Sequence, residues 1–206
     1  MSQSLNVKGA KTLVQCIVKP SLLIPHFEVD DINSIDPEKL KEQGFKGLIF
    51  DKDNTLCNPY ESKLHPRISH TFWKYRNVFR DKMVILSNSA GTKDDSGRCW
   101  EREVEKETGI PVFRHDGKKP GKIAGVDDYF KCESEELVMF GDRVLTDVVF
   151  GNRYGMLTVL TKKFTSKGDN LGAILVRKPE LFLLKGLKRV GMKAPYHSMY
   201  SEDILA

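Results

Sequence analysis

The run Phe50-Asp51-Lys52-Asp53-Asn54-Thr55-Leu56 sets two carboxylates two residues apart, directly behind the apolar stretch Gly47-Leu48-Ile49-Phe50. If that stretch is a buried strand, both acids emerge at its carboxyl end, where they repel each other unless a cation neutralises them. A metal is therefore expected. Magnesium prefers oxygen ligands and is commonly held by one or two carboxylates together with phosphate and water. An aspartate is also a competent nucleophile toward phosphorus, forming an acyl-phosphate that water later hydrolyses.

Three more polar groups follow apolar runs in the same way. Leu86-Ser87-Asn88-Ser89 closes one with a hydroxyl able to bond a phosphate oxygen, and Lys118-Lys119-Pro120 supplies a point charge suited to a transferring phosphoryl group. Phe140-Gly141-Asp142-Arg143-Val144-Leu145-Thr146-Asp147 ends another with a glycine turn and further acids suited to the same metal. Simpler roles are open to some of them: Ser87 and Asn88 are good helix caps, and Gly141-Asp142 is a common turn. Asp147 is open to a structural role as readily as to ligation. His65, His70 and His115 lack metal-ligand spacing and are assigned no role.

Elements that could present these groups together are legible in the apolar pattern. Short runs at 47–50, 83–86, 111–113, 137–140 and 156–160 alternate with helical segments at 70–79, 98–108, 121–129 and 146–154. Alternation of this kind predicts successive strand-helix-strand units and a buried parallel sheet. Such sheets bind ligands at the carboxyl ends of their strands, where every candidate above falls. Before this core, residues 7–18 carry Val7, Ala10, Leu13, Val14, Ile17 and Val18 at helical spacing with Lys8 and Lys11 opposite, and Lys19-Pro20 ends the helix. Residues 25–41 are expected to form a connection followed by a short helical turn.

With 206 residues, 40% hydrophobic and 30% charged, the chain has an ordinary folded composition. No run reaches the roughly 20 apolar residues of a membrane span. Cys16, Cys57, Cys99 and Cys132 form no Cys-x-x-Cys pair, so neither a zinc site nor a disulfide framework is suggested, and Cys57 is expected to pack rather than react. The net charge of +5 is uneven: residues 162–193 hold nine Lys or Arg against two acids, leaving the rest of the chain at −2. No acid precedes Glu28, which suits an organelle-targeting start, although that segment also lacks Arg.

Taken in order, Asp51-x-Asp53-x-Thr55, Ser87, Lys119 and Gly141-Asp142 with Asp147 resemble the four motifs of the haloacid dehalogenase superfamily of phosphatases, over roughly residues 46–160. The resemblance implies an α/β fold, a Rossmann-like three-layer sandwich around a central parallel sheet. It assigns Asp51 as nucleophile and metal ligand, and Asp53 as a further metal-site residue and the acid that protonates the leaving oxygen and then activates water. Asp142 completes a Mg2+ site, Ser87, Asn88 and Lys119 hold the phosphoryl group, and Asp147 supports the metal. Lys118 is the alternative to Lys119, which stands next to Pro120 as in the family pattern.

About 30 residues separate Thr55 from Ser87, and about as many separate Ser87 from Lys119. Each interval is consumed by a helix and a strand, so no large cap domain is expected and the site should be open to a bulky substrate. The chain divides into an N-terminal helix and connection (1–45), a phosphatase core (46–161) and a basic C-terminal extension (162–206). In that extension Leu181, Leu184, Leu187 and Val190 share a helical face, which either packs on the core or meets an anionic membrane. RNA-binding signatures are absent, so no nucleic-acid partner is expected. A closer likeness adds Lys19-Pro20-Ser21-Leu22 and Thr108-Gly109-Ile110-Pro111-Val112 to the motifs, together with Lys118-Lys119-Pro120-Gly121. In these the chain is similar to the fungal and plant mitochondrial phosphatidylglycerophosphate phosphatases. That implies a phospholipid substrate on the route to cardiolipin, at the matrix side of the inner membrane. The alternatives are a phosphatase of a soluble phosphometabolite or phosphoprotein, and a non-catalytic membrane or nucleic-acid binding module.

Overall fold

A computed structural model describes residues 15–91, 99–115, 117–121, 125–165 and 171–206. Its core is a five-stranded sheet, all parallel, built from β1 (Phe27–Val29), β2 (Gly47–Phe50), β3 (Met83–Ile85), β4 (Leu137–Gly141) and β5 (Leu157–Thr161) in the order β1-β5-β4-β2-β3. Every residue of β2, β3, β4 and β5 is buried, which is why these strands read as continuous apolar runs: helices cover both faces. Alternate side chains go to opposite layers. Leu48, Phe50, Val138 and Phe140 pack on one side, Ile49, Val84 and Met139 on the other.

The helices are α1 (Pro37–Glu42), α2 (Pro66–Phe79), α3 (Cys99–Thr108), α4 (Val126–Phe130), α5 (Val149–Tyr154) and α6 (Leu171–Arg189). The N-terminus of α2 is set by Pro66 and by His65, whose Nδ1 accepts from the Arg67 amide at 3.3 Å. Its inward face of Ile68, Phe72, Tyr75 and Phe79 closes the first layer. In the opposite layer Phe130 and Phe150 pack against Ile49 and Met139, while Leu184 of α6 joins Val144, Val148 and Leu160. Among the described residues, the intervals in which a cap would sit hold one helix each before the next core element, and no large cap is seen.

Three expectations change. The segment 25–41, read as a connection before a helical turn, contains the edge strand β1: Phe27 and Val29 turn inward and Glu28 outward, too brief an alternation to stand out in sequence. The residues just before it are stitched to the core by Asn152, whose Nδ2 donates to the carbonyls of Leu22 and Ile24 at 2.9 and 2.8 Å. The expected strand at 111–113 is reduced to a single parallel bridge between Ile85 and Val112, held by two backbone hydrogen bonds. The helix expected over 146–154 begins as a π turn, Val144–Val148, before α5 continues it.

Residues 15–18 are helical and stop at Lys19, as Pro20 requires. Cys16 is buried there, while Ile17 is 75% and Val18 80% exposed. The rest of the expected amphipathic face, Val7, Ala10, Leu13 and Val14, lies outside the described residues. The apolar face expected in the C-terminal extension divides: Leu184 is buried, whereas Leu181 and Val190 are exposed. Among the described residues no helix is long and apolar enough to cross a membrane.

Candidate active site

Strand order reverses between β2 and β4, because the chain runs outward from β2 to β3 and then returns across β2 to add β4. Crevices form at such switch points beyond the carboxyl ends of the strands. Asp51 follows β2 and its amide continues the ladder to the Phe140 carbonyl at 2.8 Å; Asp142 follows β4. The two acids therefore emerge side by side.

Asp147 joins them through the π turn. Its amide donates to the Arg143 carbonyl at 3.0 Å, and its Oδ2 accepts from the Arg143 amide at 3.1 Å, so the carboxyl folds back over the end of β4. Only glycine at 141 permits this: a Cβ there would stand 2.5 Å from Asp147 Oδ2 and closer still to its Cβ and Cγ. Extra residues in a helical turn often mark functional sites, and here the turn aims a carboxylate.

Asp51, Asp142 and Asp147 are all buried, and one oxygen of each lies within 4.8 Å of the others. Lys119 Nζ pairs with Asp51 at 2.7 Å and Asp147 at 2.6 Å, and Arg177 of α6 pairs with Asp142 at 2.6 Å. Among the described residues three carboxylates thus face two cations, which leaves one negative charge over in a buried site when all are ionised. That arrangement is costly without a further cation. Burial accordingly pushes the Asp51 carboxyl up to about 7, opposed by Lys119 and reinforced by Asp147 and Asp53. The Asp142 carboxyl is pushed up to about 8 by burial, with Arg177 opposing. Burial disfavours the charge on Lys119, but Asp147 and Asp51 outweigh it and its pKa is raised. An all-oxygen set with one unbalanced negative charge fits a hard divalent cation.

The carboxylate of Asp53, expected at the metal, lies outside this group of three, and Asp147, expected only in support, lies inside it. Asp53 is held instead by Ser89, whose Oγ donates to Oδ2 at 2.7 Å, by the Tyr60 amide at 3.3 Å and by the buried ammonium of Lys52. Lys119 rather than Lys118 reaches the acids; Lys118 is exposed. Ser87 is buried, and its Oγ accepts from the Ser89 amide at 3.1 Å. Asn88 clasps the backbone of Lys119, its Oδ1 accepting from the Lys119 amide at 2.8 Å and its Nδ2 donating to the carbonyl at 3.2 Å. It positions the lysine. His115, given no role from sequence, braces the same loop by contacts to the carbonyls of Ser87 and Gly117. Cys57 is fully buried and its thiol is pushed up to about 12 by that burial, the state of a packing residue.

Sequence reasoning missed Ser89, Lys52 and Arg177. The first two sit inside quoted motifs, and their nearness to a carboxylate was the available signal. Arg177 lies 35 residues beyond Asp142 in a helix read only for its apolar face, and no spacing points to it.

The cavity over these groups has a volume of about 200 Å³ and is lined by Asp51, Asp53, Ser87, Asn88, Lys119 and Asp142 among others. A buried carboxylate of a kind that can attack phosphorus, a second carboxyl, an ammonium and a set of oxygens suited to a cation are the parts that phosphoryl transfer needs.

Comparison with known proteins agrees with that reading. Residues 7–165 match the family described as mitochondrial PGP phosphatase. The chain is 41% identical over 205 residues to phosphatidylglycerophosphate phosphatase 1, chloroplastic/mitochondrial, of Arabidopsis thaliana, covering 98% of this chain and 59% of that protein. It is 41% identical to a chloroplastic phosphatidylglycerophosphate phosphatase 1 of Chlamydomonas reinhardtii, covering 90% of this chain and 70% of the relative. A mitochondrial phosphatidylglycerophosphatase of Saccharomyces cerevisiae is 31% identical over 157 residues, covering 73% of this chain and 84% of the relative. With residues 7–165, well over half of its length, matching that family, the chain belongs to the mitochondrial PGP phosphatases.

Proposed function

We propose that this protein is a magnesium-dependent phosphatase that converts phosphatidylglycerophosphate to phosphatidylglycerol and phosphate through an aspartyl-phosphate on Asp51. The observation that carries the reading is the convergence of Asp51, Asp142, Asp147 and Lys119 in one buried site, within a chain of this family. Asp51, Asp142 and Asp147 would hold the metal, which when bound supplies charge neutralisation for the phosphate and the carboxylates.

In the first step an Asp51 carboxylate oxygen bonds to the terminal phosphorus while the bond from phosphorus to the glycerol oxygen breaks. Lys119 and Ser87 hold the phosphoryl oxygens, and Asp53 passes its proton to the departing alkoxide. Ser89, the Tyr60 amide and Lys52 keep Asp53 in place for this. In the second step Asp53 takes a proton from water, whose oxygen bonds to phosphorus as the acyl-phosphate bond breaks. Asp51 is returned free and inorganic phosphate leaves.

The proposed place of action is the matrix face of the mitochondrial inner membrane. The exposed Ile17 and Val18 and the acid-free, lysine-bearing start support an interfacial N-terminal helix on anionic lipid. The test is phosphate release from a panel of phosphatidylglycerophosphate, sugar phosphates, nucleotides and phosphopeptides, with Asp51→Asn beside the wild type. The lipid should be preferred and the variant inactive. Preference for a soluble ester would overturn the substrate, and an active Asp51→Asn would overturn the mechanism.

A further inference from the structure

Against the catalytic cavity lies a second one of about 730 Å³. Asp142 and Arg177 line both, so their ion pair forms the shared wall. The catalytic cavity is smaller than the roughly 300–1,000 Å³ of sites that hold a whole ligand, while its neighbour falls within that range. The first is sized for the reacting group, the second for what is attached to it.

The lining of the larger cavity is amphiphilic. Val144, Leu160, Leu181 and Leu184 give it apolar walls, Lys185 and Arg189 of α6 stand at its rim, and the one acid of α6 in the lining, Glu180, is paired with Arg143. On α6, Arg177, Leu181, Leu184 and Lys188 recur at helical spacing, so one face of the helix runs from the catalytic acids to the groove. Two other rim lysines are neutralised within the fold, Lys162 by Asp30 and Lys188 by Glu28 at 2.8 Å. Outward from the groove, α6 exposes Leu181 at 43% and Phe182 at 79%, an apolar continuation of its wall toward solvent.

Resting on the substrate reading above, we infer that this groove seats the part of an anionic glycerophospholipid beyond the scissile phosphate. The glyceryl esters with the first acyl carbons lie on Leu160, Leu181 and Leu184, and the internal phosphodiester is drawn to the groove by Lys185, which stands nearer along α6 to Arg177 and the catalytic acids than Arg189 does. Such a substrate carries both a second anion and an apolar tail beyond the reacting phosphate, and the groove carries both cations and leucines.

The test uses the full chain and three soluble substrates: dihexanoyl phosphatidylglycerophosphate below its aggregation concentration, its deacylated counterpart, and para-nitrophenyl phosphate. Leu181→Asp and Lys185→Gln alter exposed positions, and thermal melting checks that both variants fold. Leu181→Asp should lower the kcat/KM ratio of acylated to deacylated substrate by about tenfold, mainly through KM. Lys185→Gln should lower kcat/KM for both diesters several-fold relative to para-nitrophenyl phosphate. Unchanged ratios, or equal losses on all three substrates, would overturn the groove assignment while leaving the substrate reading intact. A wild type that turns over para-nitrophenyl phosphate and neither diester would instead overturn the substrate reading.

Discussion

Gly141→Ala tests the geometry of the site at its tightest point. Gly141 has no left-handed backbone, so alanine is penalised there by overlap alone. The added methyl would stand 2.5 Å from Asp147 Oδ2 and nearer to two of its carbons, where carbon atoms normally rest about 3.5–4.0 Å apart. Either β4 or the π turn must shift by about 1 Å, at a cost of about 1–3 kcal/mol for an overpacked interior. Asp147 is paired to Lys119, and Lys119 to Asp51, so the shift reaches the nucleophile. A misplacement of about 1 Å lowers turnover about 100-fold. Para-nitrophenyl phosphate hydrolysis at saturating magnesium measures the second effect and urea denaturation the first. In an Asp147→Gly background the obstructing side chain is gone, and the stability cost of Gly141→Ala should fall below about 0.5 kcal/mol. Turnover within twofold of wild type, or the same stability cost in both backgrounds, would refute the reasoning.

Lys119→Met should destabilise the metal-free protein by about 3–5 kcal/mol in urea, because it strands two buried carboxylates, and should lower turnover by at least about 100-fold; a variant as stable as wild type would show the pairs to be immaterial. Chelation should stop turnover and magnesium restore it. With Asp51 near 7 and Asp142 near 8 in the absence of a cation, these carboxyls are protonated below those values and ionised above them. Magnesium affinity should therefore rise through pH 7 and 8 with release of protons, and calorimetry showing a flat affinity would contradict this. Ser89→Ala removes a 2.7 Å hydrogen bond from Asp53, and should slow an alkyl phosphate about tenfold or more while affecting para-nitrophenyl phosphate, whose leaving group needs little protonation, less; equal effects would speak against Asp53 as the acid.

What can be read in the chain is what neighbours in sequence decide. The four buried strands announced themselves because a strand covered on both faces must be apolar throughout, and each polar group ending such a run had to surface at the same edge of a parallel sheet. That logic brought Asp51, Ser87 and Asp142 to one place, and the ordered motifs added Lys119. It could not find β1, where three residues carry too little pattern and the pairing partner lies more than 120 residues away.

Inside the site, sequence alone determined which chemistry was present, and the tertiary structure decided which atoms share it. A π turn, invisible to a 3.6-residue periodicity, swings the Asp147 carboxylate back over Gly141 and in among those of Asp51 and Asp142, while Ser89 and Lys52 hold the Asp53 carboxylate outside that group. Arg177 became the partner of Asp142 only because α6 returns to the layer that covers β4 and β5. Periodicity records which side of its own element a residue occupies; strand order and helix docking determine what waits on that side, and those depend on packing the whole chain at once.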